Sequence, residues 1–383
     1  MSASDPVPSG LFTGAEVHEL FNRLHEVTPS TPMAPAAEPY DFPTGEPFAL
    51  PETHDFLGET HDTATFLADG YTAALLVLQH GEVRHEHYAL TGGREVQWIS
   101  WSVAKSFISA LVGIAIAEGH IGGVDDPINR YAPGLDGTAY DRVRIEDVLQ
   151  MSSGARWIED YSDPTSDVHR LAAVNRGEST LDEFMAGMVR EHEPATLCRY
   201  NSADTQALGM LLTGATGRPI ADFMREKLVE PLGMESTSFW LTDTVGMAQA
   251  YGGLMVTARD FAKIGELYRR GGDWNGNQVV PAEWVERSLV FDKPHLEPGR
   301  TMIGEQVLPT GYGYQWWLYP GDRGDYSAIG IYNQHVYVDP PSGAVIVKLS
   351  ANPRYGLSHL ERDNKSGQTY ALLRSIAEAL DER

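Results

Sequence analysis

Ser102 and Lys105 stand three residues apart at the head of the apolar run Phe107 to Ala117. If residues 103–118 are helical, the two side chains share one face, a single turn apart. A serine hydroxyl is a weak nucleophile until a base takes its proton, and a neighbouring lysine can do this without a histidine. That lysine must be neutral to act, so desolvation or a nearby cation must lower its pKa. The apolar run supplies dry surroundings. The spacing itself is weak: 23 serines and 6 lysines in 383 residues give about 0.4 such pairs by chance. It fits equally a serine capping a buried helix and a lysine snorkelling beside it.

A second element is Tyr200-Asn201-Ser202, just ahead of an expected helix from Ala203. A tyrosine at a helix entrance can point its hydroxyl into a cleft. Beside a lysine, a phenol can be held partly ionised and can pass a proton to a leaving amine. An ordinary core tyrosine with one satisfied hydroxyl is the alternative. The third element is Ala328-Ile329-Gly330-Ile331. A strand edge there could pair the Ile331 N–H with the Ser102 N–H as an oxyanion hole. Taken alone, it is an apolar strand containing a glycine.

These residues need elements to hold them. Thr13-Gly14-Ala15-Glu16 has capping-box form ahead of Val17, Leu20, Phe21 and Leu24 at helical spacing. Residues 29–51, rich in proline and alanine, read as an extended arm. Tyr71 to Tyr88, turning near His80-Gly81-Glu82, reads as a β-hairpin. A second hairpin pairs Tyr332 to Asp339 with Ala344 to Ser350 across Pro340-Pro341-Ser342-Gly343. Helices are expected over 145–151, 180–190, 203–216, 220–228 and 368–380. The outline is a sheet drawn from both ends of the chain, with a mostly helical insertion between. The boundaries that follow are 1–131 for a first α/β part with an arm over 1–60, 132–235 for a helical domain, and 236–383 for the second α/β part.

Composition narrows the function. A hydrophobic content of 42% indicates a globular chain with a sizeable core. The formal charge of −24 argues against nucleic acid, which requires a basic face. Cys198 is the only cysteine, so no intrachain disulfide can form. Met1 to Pro6 lacks the basic start and apolar stretch of a signal peptide, and the longest apolar run is too short to span a bilayer. A cytoplasmic address without membrane partners is expected. His85-Glu86-His87 reads as strand alternation, with no third metal ligand in view. The chain has no Gly-x-Ser-x-Gly elbow, His-Glu-x-x-His motif or P-loop.

Taken in order, the three elements resemble the serine β-lactamase and penicillin-binding-protein superfamily, in its class C-related branch. Within it the chain is most similar to 6-aminohexanoate-dimer (nylon oligomer) hydrolases. The resemblance spans roughly residues 70–352. It takes in Glu159-Asp160-Tyr161-Ser162-Asp163-Pro164, the segment from Tyr251 to Asp260, Gln315-Trp316-Trp317, Gly330-Ile331-Tyr332-Asn333-Gln334, and Val345 to Ser350. It implies an α+β fold of the β-lactamase/transpeptidase type, an antiparallel sheet flanked by helices plus a mostly helical inserted domain. It also implies that Ser102 is acylated, Lys105 is its base partner, Tyr200 relays the proton, and the Ser102 and Ile331 amides hold the oxyanion. Tyr161 matches a tyrosine that hydrogen-bonds the substrate amide in the nylon-oligomer enzymes, and Gly330, Tyr332 and Asn333 flank the oxyanion strand. No metal or organic cofactor is implied. A small-molecule substrate is expected, and relatives point to a homodimer that nothing in the sequence forces.

Two departures bear on substrate. Ala328 stands where penicillin-recognising enzymes carry a lysine or histidine, and Ser202 where they usually carry asparagine. Both weaken a β-lactam pocket. Where the nylon-oligomer enzymes have His-Gly-Gln, this chain has Tyr332-Asn333-Gln334. The expected activity is hydrolysis of small linear amides or short-chain esters. A carboxylesterase or D-amino-acid peptidase without oligomer activity is the alternative, with a catalytically silent binding protein on the same fold behind them.

Overall fold

The computed structural model describes residues 17–382. Of the strands in the two larger sheets, the first six are β1 (Ser30–Met33), β2 (Thr72–Gln79), β3 (Glu82–Tyr88), β4 (Trp98–Ile99), β5 (Ser238–Leu241) and β6 (Leu254–Val256). Near the C-terminus follow β7 (Gly311–Tyr312), β8 (Trp317–Leu318), β9 (Tyr326–Gly330), β10 (Gln334–Asp339) and β11 (Ala344–Ser350). The helices used below are α1 (Ala104–Ala117), α2 (Ser202–Thr216), α3 (Ala258–Arg269) and α4 (Ser366–Asp381).

The main sheet is antiparallel, seven-stranded, and ordered β7-β8-β9-β10-β11-β2-β3. β11 is buried along its whole length, which its Ala-Val-Ile-Val core suits. It pairs with β2 and so joins the two ends of the chain, as the outline from both hairpins anticipated. On one face α3 packs so closely that a Cβ on Gly265 would lie 2.6 Å from Val345 Cγ1. On the other face α4 covers Ile346 and Tyr337 with Leu372, Leu373 and Ile376.

A smaller sheet, ordered β1-β5-β6-β4, aims the chain at the nucleophile. Trp98 and Ile99 pair with Val256 and Met255, and Ser100 N–H donates to Leu254 O at 2.8 Å. The chain then enters α1, which is apolar all round and almost wholly buried, as a helix through a core must be. Lys105 is the one charged residue along it.

From Ala117 to Ser238 the chain forms only helices and turns, among the described residues. Several expected helices are shorter. That over 145–151 ends at Leu149, and Met151 takes a left-handed φ of 53°. That over 180–190 runs Leu181–Ala186, with Thr180 and Glu183 closing a reciprocal capping box. That over 220–228 runs Ile220–Met224 and then widens into a π-turn, Arg225–Val229. The last hairpin starts at Gln334 and not Tyr332, because Tyr332 and Asn333, with φ of 62° and 68°, lie in the preceding turn between β9 and β10. The N-terminal helix breaks into two turns, His18–Phe21 and Leu24–Val27, while Thr13 to Glu16 lie outside the described residues. Part of the expected arm is β1, an added strand. No helix among the described residues is long and apolar enough to cross a membrane.

Candidate active site

Trp101 has φ 45°, a strained value for an aromatic residue. It turns the chain from β4 into a single 3₁₀ turn, Trp101–Val103, whose middle residue is Ser102. Phe21 packs edge-on to the Trp101 ring at 5.5 Å, fixing the bend. Ser102 is half-buried, and Lys105 begins the helix beneath it.

Lys105 is 1% exposed. Its Nζ donates to Ser102 Oγ at 3.0 Å, to Ser202 Oγ at 3.2 Å and to Tyr251 O at 2.6 Å. Burial lowers its pKa to about 8, against the Glu159 charge, which raises it. A neutral amine is therefore accessible near neutral pH, as the sequence reading required.

Tyr200 completes the group. Its ring centroid is 5.2 Å from Lys105 Nζ, and it stacks on Trp317 at 5.0 Å. The partly ionised phenol anticipated from sequence is not what the structure holds. Burial, followed by the nearby Glu159, pushes Tyr200 well above the ordinary phenol range, and hydrogen bonding with Ser102 offsets this only in part. The phenol is a proton donor at rest, suited to meeting a leaving group.

Glu159 is the member that sequence reasoning missed. It lies 3% exposed, and its carboxylate accepts from Tyr161 OH at 2.6 Å, Ser202 Oγ at 2.7 Å, Ser202 N–H at 3.0 Å and the Trp157 indole N–H. Ser202 thus bridges the carboxylate to the Lys105 amine. The sequence hint was the run Glu159 to Pro164, which matches the relatives but came with no role for the carboxylate. Asn201 caps α2 by accepting from Ala203 N–H, and its amide donates to the buried Asp204, which locks the residues following Tyr200.

Gly330, the end of β9, approaches the nucleophile turn so closely that a Cβ would sit 2.5 Å from Ser100 O. The half-buried Ile331 follows directly, so its amide leaves the strand beside the loop that carries Ser102. Tyr332 is buried against Phe21, Trp101 and Tyr355. The Asn333 amide donates to Asn364 O at 2.8 Å and accepts from Asn352 at 3.0 Å. These two side chains hold the turn after β9, and, like Ser102, Lys105 and Tyr200, neither lines the cavity on the far side of Trp317. Tyr161 does.

That cavity, of about 410 Å³, opens beside Trp317 and Tyr161 and is walled by Ile303, Leu308, Ile329 and Tyr355. Among the described residues no group of three or more His, Cys, Asp or Glu is placed to hold a metal ion. Serine, buried lysine and buried tyrosine around one hydroxyl can carry out nucleophilic acyl transfer.

Comparison with known proteins establishes the family and the fold. The chain belongs to the beta-lactamase family, whose profile matches residues 65–365, and it is a serine hydrolase of that family. The 6-aminohexanoate-dimer hydrolase of Paenarthrobacter ureafaciens is 31% identical over 94% of this chain and 91% of its own. A solved Bacillus anthracis structure, provisionally named a 6-aminohexanoate-dimer hydrolase, superimposes with a TM-score of 0.80 at 20% identity, covering 99% of each chain. EstCE1, a hydrolase with promiscuous acyltransferase activity, superimposes with a TM-score of 0.64 at 17% identity over 83% of this chain and 96% of its own. The α+β fold of the β-lactamase/transpeptidase type is thereby shown.

Proposed function

We propose that the protein hydrolyses small linear amides and short-chain esters through an acyl-enzyme on Ser102. The observation that carries this reading is the 3.0 Å contact between Ser102 Oγ and a lysine whose pKa burial brings down to about 8. Neutral Lys105 takes the Ser102 proton as Oγ adds to the substrate carbonyl. The oxyanion lies against the Ser102 and Ile331 amides, donors aimed where charge develops. Tyr200 gives its proton to the departing nitrogen or oxygen, and Lys105 reprotonates it. Water then attacks the acyl-enzyme by the reverse sequence, releasing the acid. Tyr161 reaches the substrate amide by exchanging its bond to Glu159. No metal or organic cofactor takes part in these steps.

The amide reading is supported by the likeness to a 6-aminohexanoate-dimer hydrolase, and the ester reading by the apolar walls of the cavity. The protein acts in the cytoplasm as a homodimer, with residues 132–235 as its helical domain. Amine release from the linear 6-aminohexanoate dimer and acid release from p-nitrophenyl butyrate, each with wild type and Ser102→Ala, test the proposal. Serine-dependent amide cleavage supports the first substrate class, and ester cleavage alone supports the second. Full activity of Ser102→Ala would end both.

A further inference from the structure

His335 lies on β10 and is 2% exposed, yet neither ring nitrogen has a hydrogen-bond partner. Buried imidazoles ordinarily find partners, because an unmade hydrogen bond is costly. The ring lines the cavity beside Trp317 and Ile329. Strand register explains its aim: His335 is directly opposite Ile329 on β9 and Lys348 on β11, so all three share one face of the sheet. A second buried group without a partner, the Thr310 hydroxyl, belongs to the same lining.

The cavity adjoins the catalytic group through Trp317 and Ile329, while Ser102, Lys105 and Tyr200 themselves do not line it. Trp317 stacks on Tyr200, the proton donor, and Ile329 comes two residues before the proposed oxyanion amide of Ile331. Its charge character is equally defined. No lysine or arginine lines it. Of its acidic and basic lining residues, Glu159 is fully engaged, Glu361 accepts Gln368 N–H at 2.9 Å, and His359 is 3.2 Å from Asp160. Burial and the adjacent Lys348 depress His335 to about 3, leaving a neutral ring with one N–H donor and one lone pair. The Lys348 amine is turned to Ser350 Oγ.

We propose that this cavity binds the leaving alcohol or amine of the substrate, an apolar chain ending in a neutral hydrogen-bonding group such as hydroxyl or carboxamide, and that His335 is the residue that recognises that end. This rests on the acyl-enzyme reading and narrows it. A linear ω-amino acid dimer would bring a carboxylate into the cavity on its leaving half, against a lining without lysine or arginine.

The test uses acetate esters with one acyl group and different leaving alcohols: n-hexanol, its terminal diol, and the matching carboxamide, ammonium and carboxylate compounds. All pass through the same acetyl-enzyme, so kcat/KM differences report the leaving-group site. Wild type should favour the hydroxyl and carboxamide esters over the hexyl ester by about 3- to 10-fold, the range of one net hydrogen bond. His335→Leu should lose that ratio, and His335→Gln, which keeps a neutral hydrogen-bonding group, should retain much of it. Preference for the ammonium or carboxylate ester, or a ratio unchanged in His335→Leu, overturns the inference while leaving the serine mechanism intact. Absence of serine-dependent turnover for every ester would remove the underlying reading and this one with it.

Discussion

The Lys105 amine and the Ser102 hydroxyl are 3.0 Å apart, with the lysine donating. In the protonated state that bond points the wrong way for catalysis, since the serine proton has no acceptor there. Loss of one proton from Lys105 reverses it. Activity should follow this titration. The neutral amine is the base, so kcat/KM should rise with pH through a midpoint near 8, where burial places Lys105, and level off above it. A profile flat from pH 6 to 9, measured on p-nitrophenyl butyrate, would contradict a lysine base. Lys105→Arg should be inactive throughout, because a guanidinium does not lose its proton in this range.

Glu159 tunes that midpoint. Its charge raises the Lys105 pKa, and Gln keeps the shape while removing the charge. The pH–rate midpoint of Glu159→Gln should therefore move down. A midpoint that stays in place or moves up would show that the carboxylate serves only to hold Ser202 and Tyr161.

Tyr200→Phe separates proton delivery from nucleophilic attack. Loss of a positioned general acid costs about 10²- to 10⁴-fold, and the loss should be larger for amides, whose nitrogen must be protonated to leave. A p-nitrophenolate needs little help. Equal losses on amide and p-nitrophenyl ester would place Tyr200 elsewhere in the cycle.

Gly330→Ala tests the contact between β9 and the nucleophile turn. A Cβ would meet Ser100 O at 2.5 Å, backbone against side chain, and cannot be relieved by a rotamer change. Overpacking of this kind costs about 1–3 kcal/mol. Thermal melting should show the destabilisation, and kcat should fall by more than the loss of folded protein, because the Ser102 and Ile331 amides move apart. Wild-type kcat in the folded fraction would show that the strand does not form the oxyanion site.

Much of this was legible in the sequence. Ser102 with Lys105, and Tyr200 with its helix, are local patterns, and the two hairpins carried their turns openly at His80-Gly81 and Pro340 to Gly343. Glu159 was not legible, because its bonds to Ser202 span 43 residues and exist only once the loop folds over α2. The same holds for His335: alternation along β10 gives it a face, but only sheet register sets it beside Ile329, and only the surrounding loops leave a cavity there. The strand expected to begin at Tyr332 starts later for a related reason. Tyr332 and Asn333 take a left-handed backbone in the turn after β9, which Asn favours and Tyr does not, and both side chains are buried there.

The most direct measurement is intact-protein and peptide mass spectrometry after reaction with a p-nitrophenyl alkylphosphonate. One equivalent should add to wild type, on the peptide containing Ser102, with loss of esterase activity in parallel, and none should add to Ser102→Ala. Adduct on another residue, or equal labelling of the alanine variant, would contradict Ser102 as the nucleophile.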